Sequence, residues 1–99
     1  MKKDIFIQYA DKVCELFSIT RQQLFSKVKK RDYVDARHLL YYLCYKRPMR
    51  ISYIQSYMKE YGYAIDHPSV IHGIAVVEGK MHSDNDYVMT VKDIERSVF

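Results

Sequence analysis

Asp66-His67-Pro68-Ser69-Val70-Ile71-His72-Gly73-Ile74 is the stretch that decides how this chain is read. It sets a short polar head in front of an apolar run. Val70, Ile74, Val77 and Met81 recur at helical spacing, so a helix from about Pro68 to Met81 turns that stripe toward a core. The head then occupies the first turn, where proline is tolerated because the leading N–H groups have no intrahelical partner. With Pro68 as the first helical residue, His67 is the cap. Alternatively Asp66 caps, its carboxylate accepting a free N–H at the positive helix end. In either case Asp66, His67, Pro68 and Ser69 project from one helix N-terminus, the place from which a recognition helix reaches base edges.

Upstream of the head, Ser52-Tyr53-Ile54-Gln55 matches a capping box and predicts a helix that buries Ile51 or Ile54, then Tyr57 or Met58, then Tyr61. Gly62 suits the residue after its end. A short helix, a turn at a glycine and a second helix with a polar start is the outline of a helix-turn-helix, an outline that many helical hairpins share.

Before it, Asp32 to Arg47 reads as a longer helix, with Asp32 as cap and acids early, Lys46 and Arg47 late, and Pro48 as the stop. Val34, Ala36, Leu40, Leu43 and Cys44 supply its apolar face. Arg37 is expected on the opposite side from Leu40 and Cys44, as a phosphate contact or a surface salt-bridge partner. Lys27-Val28-Lys29-Lys30-Arg31 is the most concentrated charge in the chain. It is either a solvated basic turn or an arm that neutralises phosphates or enters a minor groove.

The beginning and end of the chain are helical as well. Residues 4–17 place Ile5, Tyr9, Val13 and Leu16 or Phe17 on one face, and Thr20-Arg21-Gln22-Gln23 is a capping box opening a short helix. Ser83 or Asp84 caps a last helix in which Tyr87, Val91, Ile94 and Val98 share a face. With 99 residues, 48% apolar, and only 3 glycines and 2 prolines, the expected architecture is all-α: a single domain, 1–99, of five to six helices joined by short turns.

Charge and cysteine usage narrow the function. Sixteen Lys and Arg against 12 Asp and Glu leave a formal charge of +4, which permits an anionic partner without demanding one. Cys14 and Cys44 sit in apolar helical runs with no Cys-x-x-Cys pairing, which predicts buried free thiols in a reducing compartment. No run is long enough to span a bilayer and no signal-peptide pattern occurs, so a cytoplasmic protein without a membrane partner is expected. Catalysis is not expected: His67 stands beside Asp66, but no motif sets a nucleophile, and Ser69 lies on the same turn. A metal is not expected either, since His67 and His72 at i, i+5 do not share a helical face.

The order of these features resembles the C-terminal DNA-binding domain of the bacterial replication initiator DnaA, from about Val13 to Met81. A helix ending near Phe17, the Leu24-Phe25-Ser26-Lys27 segment, a basic loop, the Val34-Asp35-Ala36-Arg37 helix and the Asp66-His67-Pro68-Ser69 head follow one another as they do there. The resemblance implies a Trp-repressor-like helix-turn-helix that binds double-stranded DNA. By it, Asp66, His67 and Pro68 match positions that read base edges in the major groove, Ser69 a hydroxyl near phosphates, and Arg37 a backbone-contacting arginine. Lys29, Lys30 and Arg31 match the basic loop that reaches the minor groove. The chain departs from the pattern at Ile65, where the family carries arginine, and at Pro68, which has neither N–H nor hydroxyl but a ring able to touch a thymine methyl. No Walker A motif occurs, so no nucleotide or other cofactor is expected. The initial Met1 fits a free-standing domain of the kind a phage or mobile element encodes, with a piece of a longer initiator as the alternative. A different class of function on the same scaffold is an adaptor for a host replication or transcription protein, anchored by exposed tyrosines.

Overall fold

A computed structural model describes residues 1–98. These form six helices: α1 (Lys2–Phe17), α2 (Arg21–Leu24), α3 (Arg31–Lys46), α4 (Ile51–Glu60), α5 (His67–Ser83) and α6 (Asn85–Ser97), with no strand among the described residues. The all-α expectation holds. None of these helices is long and apolar enough to cross a membrane.

The middle of the molecule is α3. Ala36 and every residue from Leu39 to Cys44 are buried, because α1 and α5 pack against it most extensively while α2 and α4 close other sides. A helix covered on so many sides needs apolar residues nearly all round, and its sequence provides them. Cys14 and Cys44 are both buried and unpaired, as expected, and burial pushes each thiol's pKa up.

Several local signals act as the sequence predicts. Thr20 Oγ1 accepts from the Gln23 N–H at 3.1 Å, and Gln23 Oε1 accepts from the Thr20 N–H at 2.9 Å. Gly62 takes φ 89° after α4, a conformation open to glycine at no steric cost, and its N–H reaches the Lys59 carbonyl at 2.9 Å. At the other end of α5, Asp84 rather than Ser83 caps α6, accepting from the Tyr87 N–H at 3.1 Å. Val91, Ile94 and Val98 are buried and Tyr87 half-buried, as their spacing predicts.

Other boundaries differ from expectation. In α1 Tyr9 and Val13 are buried as expected, but Phe6 is buried in place of Ile5, which lies at the margin, and Leu16 is exposed, so the apolar face is rotated by one residue at its start. Asp32 is not a cap: Lys30 has the extended backbone that precedes α3, and its carbonyl accepts from the Val34 N–H at 3.0 Å. Ser52-Tyr53-Ile54-Gln55 is not a capping box. Arg50 takes the extended conformation before α4, which puts Ser52 inside the first turn, where a hydroxyl has no N-cap geometry. Gln55 is used differently: its amide donates to the Ile65 carbonyl at 3.1 Å and ties α4 to the turn before α5.

Candidate nucleic-acid interface

At the start of α5 the two capping alternatives resolve in favour of Asp66. Its backbone is extended, and its carboxylate accepts from the Ser69 N–H at 2.9 Å. Hydrogen bonds from Ser69 hold the Asp66 carboxyl below the usual range, as a charge-assisted N-cap should. His67 is therefore the first helical residue and Pro68 the second. All of Asp66, His67, Pro68 and Ser69 are exposed, while Val70, Ile74 and Val77 bury the opposite face.

The basic segment lies next to this tip. One open cleft of about 450 Å³ is lined by Lys27 and Lys29 from the α2–α3 loop, by the cap Asp66, and by Pro68, Ser69 and His72 from α5. His67 is not among its lining residues. The two walls are tethered: the Lys27 ammonium donates to the Ala64 carbonyl at 2.7 Å and lies 4.0 Å from the centre of the Tyr63 ring. Tyr63, buried in the turn before α5, also carries the Arg37 guanidinium at 4.8 Å from its ring centre. Both contacts have the geometry of cation–π attraction.

Arg37 does not face solvent. It is 2% exposed, and its guanidinium donates to the carbonyls of Leu24 at 2.7 Å, Val28 at 3.0 Å, Gln23 at 3.4 Å and Ser26. The expected phosphate contact or surface ion pair is thus corrected. Arg37 occupies its donors with the main chain of the loop and shapes it from beneath. A fork of fixed donors suits this task, because a loop end leaves several carbonyls pointing inward without partners.

The remaining cations point outward. Lys29 and Lys30 are exposed, with the Lys30 ammonium 5.7 Å from the Tyr33 ring centre. Arg31 belongs to the first turn of α3 rather than to the loop, and its 94% exposed side chain approaches the Asp35 carboxylate only to 3.9 Å. Asp35 also lies 3.5 Å from the Lys80 ammonium.

Sequence reasoning missed the floor of the cleft. A Cβ on Gly73 would come within 2.8 Å of ring carbons of His38 and Tyr41, so α5 meets α3 at a distance only glycine permits there. Beside that contact the His38 and His72 rings meet edge-on, with centres 5.7 Å apart. Burial, then the charge of His72 with smaller effects of Lys80 and Arg37, lowers the His38 pKa, against the pull of Asp35. The His38 Nδ1 and Tyr41 hydroxyl are buried without a hydrogen-bond partner among the described residues. The signal that leads to this floor is a glycine inside an otherwise apolar helical stripe. Comparison of the chain with protein-family models gives no match, and a search of characterised proteins gives none either.

Proposed function

We propose that this chain binds double-stranded DNA sequence-specifically through the start of α5, in replication or transcription control of a bacterium, phage or mobile element. The observation that carries the reading is the shared cleft. Asp66, Pro68 and Ser69 of the exposed tip and Lys27 and Lys29 of the loop before α3 line one open cleft, held in register by Lys27, Tyr63 and Gln55, while His67, Lys30 and Arg31 are exposed outside its lining. The tip supplies polar groups for base edges, and Lys29, Lys30 and Arg31 supply charge for phosphates. Two of these cations, Lys30 and Arg31, sit at the positive end of α3, where the helix dipole opposes them. The fold gains only an exposed Arg31–Asp35 ion pair at 3.9 Å and a long Lys30–Tyr33 contact at 5.7 Å from that placement, whereas a polyanion would pair with both charges. The resemblance to the DnaA C-terminal domain supports the same assignment of residues, with Arg37 moved from contact to loop support. An adaptor role draws support only from separate exposed tyrosines such as Tyr45 and Tyr53.

Selection of bound duplexes from a random library tests the reading. The wild-type protein is expected to enrich one motif, and the exposed-site variant His67→Ala to lose that enrichment while melting at the same temperature. No enrichment by the wild type at low salt removes the proposal.

A further inference from the structure

Between the carboxylates of Asp66 and Glu78, both exposed, α5 exposes His67, Pro68, Ser69, Ile71, His72 and Ala75, and none of these six side chains carries a fixed charge. On α1 and α6 the exposed positions are mainly ionic, Lys2, Lys3, Asp4, Asp11 and Glu15 on the first and Asp86, Lys92, Asp93 and Arg96 on the second, while α4 has a shorter uncharged patch at Ser52, Tyr53 and Ser56. Ile71 is the apolar centre of the neutral strip. It is 46% exposed, although Val70, Ile74 and Val77 already bury the core side of the helix. One turn beyond His67 and three residues from Pro68, it shares their face. A single exposed isoleucine on a charged surface needs no explanation. This one lies in a strip free of charge, on the helix whose start lines the cleft with Lys27 and Lys29. That combination, a reading face whose one charge is the Asp66 carboxylate at its start, set beside cations, complements a groove whose floor is base edges and whose walls are phosphates.

We infer that Ile71 is a specificity-determining residue that, with the Pro68 ring, receives the 5-methyl group of a thymine in the major groove. The inference rests on the DNA-binding reading and deepens it. Thymine is the one base that presents a methyl there, so an apolar side chain selects it without a hydrogen bond.

The probe is a duplex carrying the motif enriched by the wild-type protein, with each thymine replaced singly by uracil, which removes the methyl and leaves base pairing intact. At one position uracil is expected to raise the wild-type Kd about fourfold, the equivalent of roughly 0.8 kcal/mol for one buried methyl. For Ile71→Ala the same replacement should change Kd less than about twofold, because only the Pro68 ring is left against the methyl. Circular dichroism melting shows whether Ile71→Ala keeps the wild-type fold, as its exposed position leads one to expect. Ile71→Val, which retains an apolar branch, serves as a second folded variant and should keep most of the uracil effect. The inference is overturned if no uracil position weakens wild-type binding, or if the loss is the same in wild type and Ile71→Ala. Those outcomes leave DNA binding itself standing, whereas failure of the wild type to enrich any duplex removes both.

Discussion

Arg37 and Arg31 both belong to α3, yet one is 2% exposed with its guanidinium on main-chain carbonyls, and the other has a 94% exposed side chain near one carboxylate at 3.9 Å. They stand for the two sides of the α2–α3 loop. The inner side is a hydrogen-bonded scaffold built on Arg37, Tyr63 and Lys27; the outer side is Lys29, Lys30 and Arg31 in water. Charge on the inside is structural because its removal strands carbonyls, and charge on the outside is open to a partner because its contacts within the fold, Arg31 with Asp35 and Lys30 with Tyr33, are long and exposed.

Breaking the inner side should give the largest effect. Arg37→Ala leaves the loop carbonyls of Leu24, Ser26 and Val28 without their donor, and a loss of about 3 kcal/mol is expected. Thermal melting should show it as a fall of more than about 10 °C for a domain of this size. Gly73→Ala comes next. Its Cβ meets ring carbons of His38 and Tyr41, so α3 and α5 must separate at a cost of about 1–3 kcal/mol. Gly79→Ala, in the same helix but facing open space, should instead stabilise by up to ~1 kcal/mol, and the pair of melting curves sharpens the contrast between packed and solvated positions.

A smaller effect depends on pH. The folded His38 pKa lies below its ordinary value, so the unfolded imidazole takes up a proton first as the solution is acidified. The stability this represents is complete above about pH 6.5 and declines as pH falls through the folded value. His38→Leu should flatten that part of the melting-temperature profile; an unchanged slope assigns the acid sensitivity elsewhere. The smallest effect is expected on the outer side, where Lys29→Ala, Lys30→Ala and Arg31→Ala should each alter stability by less than about 0.5 kcal/mol in a denaturant titration.

The contrast also explains what was legible in the residues alone. Thr20, Gly62 and the Asp66 head act through their immediate neighbours, so their spacing carried the information, as did the helical stripe of Val70, Ile74 and Val77. Arg37 was misread because its partners are carbonyls of a loop that folds back beneath it, which no helical periodicity records. Ser52 and Gln55 have the spacing of a capping box, but Arg50 takes the extended conformation first and the register moves past them. The exposed tip and the basic loop were each visible; their common cleft depended on Lys27 reaching Ala64 and on Gly73 letting α5 close on α3, both contacts between distant parts of the chain.

Fluorescence-anisotropy titration of the enriched duplex over a range of salt concentrations, with wild type and a Lys29→Ala, Lys30→Ala, Arg31→Ala triple variant, tests the central claim most directly. Wild-type affinity should fall linearly in log–log form with salt, and the triple variant should show a slope shallower by about 2 to 3 with unchanged melting temperature. Equal slopes for the two proteins, or binding indifferent to salt, would contradict the assignment of the outer loop to DNA phosphates.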